Sequence, residues 1–175
     1  MAFDAFCYST MKADMPGETQ DSDYIKLQAF EILSFELGAE NVINIGSVTG
    51  GGGAGKATFK EFTVTKKTDN ASTFLFSALC TGFHYKDVTV DLRRSGVASK
   101  TMKSGGVFMK FEMHLVMVQD ISWSGSDGDD VCEETVIFQY GAIKITYTPQ
   151  DKEGKEKPKV VAMWSRVKNQ NTTDV

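Results

Sequence analysis

Apolar positions along this chain recur mostly at period two. Val107, Met109, Phe111, Met113, Leu115 and Met117 share one phase, and Phe108, Lys110, Glu112, His114, Val116 and Val118 share the other. This predicts a strand over Val107 to Val118 with one face in a core and the other partly covered. Its second face carries Phe108, Val116 and Val118, which either a partner subunit or the chain itself could cover. Val88, Val90 and Leu92 alternate with Thr89 and Asp91 in the same way. From Glu134 to Tyr147 the phase changes: Val136, Phe138 and Tyr140 lie on one side, Ile143, Ile145 and Tyr147 on the other. The change falls at Gly141-Ala142, which predicts a bulge or a sharp bend. Phe59 and Phe62 are also out of phase, with Lys60-Glu61 between them, the pattern of a β-bulge. Shorter β-like runs are Ala2 to Tyr8, the second half of Tyr24 to Leu37, Val42 to Val48, and Val160 to Val167.

One stretch has helical spacing. Leu75, Ala78 and Leu79 form a stripe at intervals of three and four, with Phe74 beside it. Asp69 or Ser72 can cap the first turn and Gly82 can end the last, so a helix is predicted over Asp69 to Gly82. Connections are polar and glycine-containing: Pro16 to Asp23, Ser95 to Gly106, Ser122 to Asp130, and the charged Lys152 to Lys159. Many strands, such loops and one short helix point to a mainly β fold, a sandwich or barrel. No repeat or linker divides it, so residues 1–175 read as a single domain with Asn169 to Val175 as a frayed tail.

Composition narrows the function. Apolar residues are 41% and charged residues 24%, and the net charge of −4 comes without a basic cluster, so no nucleic-acid footprint exists. No segment reaches the roughly 20 apolar residues of a membrane helix, and the N-terminal residues lack the pattern of a signal peptide. Cys7, Cys80 and Cys132 are odd in number and far apart, which does not suggest a disulfide framework.

The chemical motifs fail one by one. Gly50-Gly51-Gly52-Gly53-Ala54-Gly55-Lys56 has the spacing of a phosphate loop, but Ala57 replaces the hydroxyl that would hold magnesium. The following Thr58 to Thr65 reads as a strand, whereas a phosphate loop must open a helix. The run is therefore a flexible loop entering a strand. Cys80 and His84 lack the close ligand pairs of a zinc site; Cys80 reads as a buried, unreactive helix residue and His84 as a surface or turn residue. Asp127, Asp129, Asp130, Glu133 and Glu134 resemble a calcium loop, but Val131 and Phe138 occupy positions that need oxygen ligands. No serine sits in a nucleophile elbow. Neither an enzyme nor a cofactor is expected. The alternative to a structural role is a β-sandwich binding module, for example for carbohydrate, using Trp123, Trp164 or the acidic loop.

Taken in order, several stretches resemble the tube protein of type VI secretion systems, the haemolysin-coregulated protein family. They are Met1 to Phe6, Gly17 to Ser22, Ile32 to Phe35, Gly50 to Lys56, Phe62 to Asp69, Ala78 to His84, Glu134 to Val136, Ile145 to Gln150, and Trp164 with Asn169. The segments Phe6 to Gly17 and Ser22 to Ile32 are longer than the family pattern, Met163 stands where a glycine is common, and Phe74 where a basic residue is expected. The resemblance implies a compact β-barrel of two antiparallel sheets with one short helix on its side. It implies six-membered rings that stack into a hollow tube, related in design to phage tail tubes. Partners would be the sheath, the spike and effectors carried in the ring. Assembly would take place in the bacterial cytoplasm, followed by ejection without a cleaved leader. The glycine run, Gly50 to Lys56, would belong to an extended segment that reaches a neighbouring subunit or ring.

Overall fold

The computed structural model describes residues 3–44, 53–94, 105–153 and 155–175. In chain order the elements are β1 (Phe3–Tyr8), β2 (Phe30–Glu31), β3 (Ser34–Glu36), β4 (Ala39–Glu40), β5 (Ile43–Asn44), β6 (Gly53–Ala54), β7 (Thr58–Phe59) and β8 (Phe62–Lys67). They continue with α1 (Asn70–Thr81), β9 (Tyr85–Arg94), β10 (Val107–Ser124), β11 (Glu133–Tyr147) and β12 (Val160–Ser165). All strand pairings are antiparallel, and the main sheet runs β2-β1-β9-β10-β11-β8-β3, with β12 added to β11.

The two ends of that sheet are joined by the chain itself. Ile32 donates its backbone N–H to the Ala5 carbonyl of β1, and Leu33 donates to the Thr65 carbonyl of β8. One residue bonds one end of the sheet and the next bonds the other, so the sheet curls into a barrel. The two expected layers are the two halves of this single curled sheet. Its interior is filled by Phe62, Val64, Val88, Val90, Met113, Val136 and Phe138, all buried.

α1 packs against β10, and its boundaries follow from local chemistry. The Asp69 carboxylate accepts from the Ala71 N–H, and the Ser72 hydroxyl accepts from the Asp69 N–H, a reciprocal cap at the first turn. Both residues expected as alternatives take part. Gly82 ends the helix at φ 65°, a left-handed conformation that costs a residue with a Cβ about 1 kcal/mol or more. Ala71, Leu75 and Ala78 form the buried stripe.

The phase changes are structural. In β11, alternate residues from Glu134 to Tyr140 are buried, and past Gly141 burial passes to Ile143. The bend at Gly141 is met on β10 by Leu115, which has φ 51°. A Cβ on Gly141 would stand 3.2 Å from the Leu115 Cβ and 2.9 Å from a Val175 methyl. The bare glycine thus leaves room for a left-handed leucine. The consequence on β10 corrects the sequence expectation: Phe111 and Met113 are buried, Leu115 is exposed, and Val116 and Val118 enter the same core. Val116 and Val118 are therefore covered within the chain and not by a partner. Phe108 packs edge-on against Phe3.

The longer segments at the start of the chain have a role. Residues 9–29 include short 3-10 turns at Lys12–Asp14 and Ile25–Leu27. They bring Tyr24 onto Phe6, the rings stacked 4.0 Å apart. The polar phase of β9 is buried beneath them. Asp91 accepts from the Tyr8 and Tyr24 hydroxyls at 3.2 and 3.1 Å and faces the Lys110 ammonium at 3.4 Å. Arg93 lies over the Phe6 ring and binds Asp4 at 3.0 Å and Asp21 at 2.6 Å, with Asp23 at 3.7 Å. Burying a guanidinium carries a desolvation cost, which these carboxylates offset.

Candidate assembly surface

The described part of the glycine run, Gly53 to Lys56, lies on a ribbon that continues β3 and β8 away from the barrel. β4 pairs β7 through Ala39↔Phe59 and Glu40↔Thr58, and β5 pairs β6 through Ile43↔Ala54 and Asn44↔Gly53. Residues 39–43 are all exposed, with Val42 at 71% and Ile43 at 60%. Gly50, Gly51 and Gly52 lie outside the described residues, as do 45–48 of the run expected at Val42 to Val48. Gly53 and Ala54 form β6, the Gly55 N–H donates to the Val42 carbonyl at 2.9 Å, and Lys56 lies between β6 and β7.

Two bulges shape the ribbon. Between Glu36↔Thr63 and Ala39↔Phe59, residues 37–38 face the three residues 60–62, which is the bulge expected at Lys60-Glu61. Between Glu40↔Thr58 and Ile43↔Ala54, residues 41–42 face 55–57, so a second bulge falls at Gly55-Lys56-Ala57. Each extra residue bends the strand and increases its twist. A Cβ on Gly55 would come within 3.0 Å of the Val42 carbonyl oxygen, so this crossing is built for glycine.

At the ribbon's root an open cleft of about 580 Å³ separates it from the bend in β10 and β11 and from the end of β12. Lys56, Phe59, Leu115, Tyr140, Trp164 and Arg166 are among the residues that line it. The Arg166 guanidinium lies over the Tyr140 ring, and its Nη1 donates to Gln139 at 2.9 Å and to the Tyr140 carbonyl at 3.0 Å. Burial pushes the Tyr140 phenol above its ordinary pKa, opposed by the Arg166 charge. His84 is exposed at the same cleft.

Two further exposed apolar surfaces stand on the barrel. One is the edge of β12, whose Val160 and Val161 are exposed and pair with Tyr147 and Thr146 of β11. Beyond β12 no strand continues the sheet among the described residues. The other is on the helix side, where Phe74, Phe76 and Trp123 are exposed and the Phe76 and Trp123 rings meet at 5.9 Å. Trp123 is held from below: its indole N–H donates to Glu134 at 2.6 Å, and Glu134 is itself fully buried against Lys66 at 2.9 Å.

The sequence-derived chemical sites are dispersed. Cys80, expected to be buried, is exposed along with Cys132, because it lies off the Ala71-Leu75-Ala78 stripe. Cys7 is the buried thiol, and its desolvation pushes the pKa well above the ordinary range. Among the described residues no group of three or more His, Cys, Asp or Glu side chains is placed to hold a metal ion. Asp127, Asp129 and Asp130 are exposed in the β10–β11 turn, where Asp129 accepts from the Ser126 N–H. Trp164 lines the cleft, whereas Trp123 lies outside it. The Lys66–Glu134 pair, the Asp91–Arg93 cluster and the cleft were missed by sequence reasoning. The alternation of Asp91 and Arg93 within an apolar strand was the available signal.

This curled barrel with one helix on its flank has the fold of solved type VI secretion proteins. A solved structure described as a type six secretion system protein is 29% identical, with a TM-score of 0.83 over 97% of this chain and 99% of that one. Hcp1 from Salmonella typhimurium has the same fold at 21% identity, with a TM-score of 0.74 over 98% of this chain and 100% of its own. Protein hcp1 of Pseudomonas aeruginosa is 26% identical over 99 residues, which span 57% of this chain and 58% of that relative. The family described as "Type VI secretion system effector, Hcp" matches residues 8–147, and the chain belongs to it. This is a family of structural secretion proteins and not of enzymes. No helix among the described residues is long and apolar enough to cross a membrane.

Proposed function

We propose that this chain is the subunit of the type VI inner tube, that six copies close into a ring, and that rings stack and are ejected with effectors inside. The whole chain acts as one domain in this role, assembled in the bacterial cytoplasm and driven outward with the spike when the sheath contracts. The observation that carries the reading is the presence of two different exposed apolar surfaces on one barrel. A cyclic ring joins unlike faces of neighbouring subunits, so each copy must present two. The β12 edge with Val160 and Val161 supplies one, with unpaired backbone that a neighbour can cover. Phe74, Phe76 and Trp123 supply the other. The ribbon, Gly50 to Lys56 included, then reaches beyond its own barrel toward the next copy.

Light scattering tests the ring directly. The purified chain should have a mass near six times 19.2 kDa. Val161→Asp should give a folded monomer with unchanged far-UV circular dichroism, since Val161 lies outside the core. Gly55→Val should leave the ring but hinder stacking, because the side chain meets the Val42 carbonyl and redirects the ribbon. A wild-type chain that stays monomeric at high concentration would remove the tube reading.

A further inference from the structure

We propose that the cleft at the root of the ribbon receives the acidic β10–β11 turn of a second copy, joining barrels end to end. The proposal rests on the tube reading and assigns the residues of its stacking contact. Charge favours an acidic occupant. The chain carries 23 acidic and 19 basic residues, yet among the described residues no Asp or Glu side chain lines the cleft, while Lys56 and Arg166 do. Glu61 is the near carboxylate, accepting at 3.3 Å from the amide of Gln139, a lining residue. Lys56 has no ion-pair partner among the described residues. Arg166 uses Nη1 for its intramolecular bonds, which leaves Nη2 and Nε to take a carboxylate as a fork.

The β10–β11 turn is such an occupant. Asp127 and Asp130 are exposed, and neither carboxylate has a partner among the described residues, whereas the Asp129 carboxylate is spent on the turn itself. Val131, 45% exposed, stands next to Asp130. Two free acids with an adjacent apolar side chain match a cationic rim over a floor of Phe59, Tyr140 and Trp164. Reach makes the contact intermolecular. Turn and cleft belong to the same hairpin, but β10 stays a paired strand, with one register shift between Val118 and Asp120, from Leu115 at the cleft to Ser124 at the turn. At about 3.3 Å per residue, that separates them by roughly 30 Å. A turn cannot fold back onto its own cleft over a paired strand. The match is satisfied only between copies, tip into root, and its repetition generates an open stack.

The test is a charge exchange on the full-length protein, read by sedimentation and negative-stain imaging. Lys56→Glu should retain the ring mass while stacking weakens about tenfold or more, since several weak pairs act together around one ring. Asp127→Lys with Asp130→Lys should do the same. Mixing the two variant proteins should restore stacks, because each cleft then meets a turn of opposite charge. Wild-type stacks should also come apart at about 1 M salt, where screening acts over about 3 Å. Unchanged stacking in Lys56→Glu overturns the proposal, as does a mixture that stacks no better than either variant. Loss of the ring itself in Lys56→Glu also overturns it, by making the cleft a contact within the ring. Absence of rings in the wild type would instead remove the tube reading.

Discussion

Replacing Glu134 by leucine should destabilise the barrel more than the removal of any surface charge. The Glu134 side chain is fully buried, and both oxygens are occupied. Oε1 accepts from Lys66 Nζ at 2.9 Å and from the Ser72 hydroxyl at 2.8 Å, and Oε2 from Thr68 at 3.2 Å and from the Trp123 indole at 2.6 Å. Lys66 is equally buried and also reaches Asp69 at 2.7 Å and the Lys67 carbonyl at 2.8 Å. One network therefore ties β8, the helix cap, β10 and β11. Removing one partner of a buried pair costs about 3–5 kcal/mol, because the remaining charge keeps its desolvation penalty. At roughly 2–4 °C per kcal/mol for a chain of this size, Tm should fall by roughly 6–20 °C. Asp69, which still faces Lys66, places the expected loss toward the lower end. Urea unfolding of Glu134→Leu, Lys66→Met and the double variant, followed by far-UV circular dichroism at one protein concentration, closes the cycle. The double variant should lose less than the sum of the singles by about 1–3 kcal/mol. A loss under about 1 kcal/mol in Glu134→Leu, or strict additivity, would show that the pair is solvated and refute the reasoning.

Gly141→Ala should cost about 1–3 kcal/mol through overpacking at the bend, where the new methyl meets Leu115 and Val175; denaturant midpoints check this, and Leu115→Gly in the same chain should recover part of the loss. Burial raises the Asp91 pKa, with Lys110 opposing, so above the ordinary pKa near 3.8 the native state holds a proton that the unfolded chain has released. Stability should fall as pH rises through that window, and Asp91→Asn should gain on the wild type from pH 4 upward while matching it in stronger acid; parallel pH profiles would contradict this. Asp21 has the opposite sign, because its bond to Arg93 lowers its pKa, and its contribution is lost as acid protonates it. In native protein an aromatic disulfide reagent should label Cys80 and Cys132 promptly and Cys7 only on unfolding; prompt labelling of Cys7 would sink this assignment.

What could be read in advance was local. The helix is specified by residues within its own span: Asp69 and Ser72 at one end, Gly82 at the other, and a stripe between. The bend in β11 was legible because glycine marks it, and the bulge at Lys60-Glu61 because two phenylalanines fall out of phase. Cover arising far away in sequence was not legible. Asp91 and Arg93 look like the solvent side of a half-buried strand, and they are buried only because residues 9–29 cross over them and provide Tyr24, Asp21 and Asp23. The Lys66–Glu134 pair joins positions 68 apart, and neither residue type signals burial on its own.

The misreading of β10 has one cause, and it bears on assembly. A left-handed residue inverts the alternation of a strand, yet Leu115 carries no mark of it, since left-handed leucine is rare and costs about 1–2 kcal/mol. The mark lay on the neighbouring strand. Gly141 stands opposite Leu115 in the ladder, and a bend in one strand of a paired hairpin must be matched by the other. Carrying the glycine's phase change across the pairing moves Val116 and Val118 into the core and Leu115 out of it. On the barrel, apolar side chains are then exposed at the bend, the β12 edge and the helix side, and on the ribbon at Val42 and Ile43. The bend is also where the cleft opens beneath the ribbon, so one glycine both permits the turn of the barrel and places the exposed Leu115 beside Lys56 and Arg166.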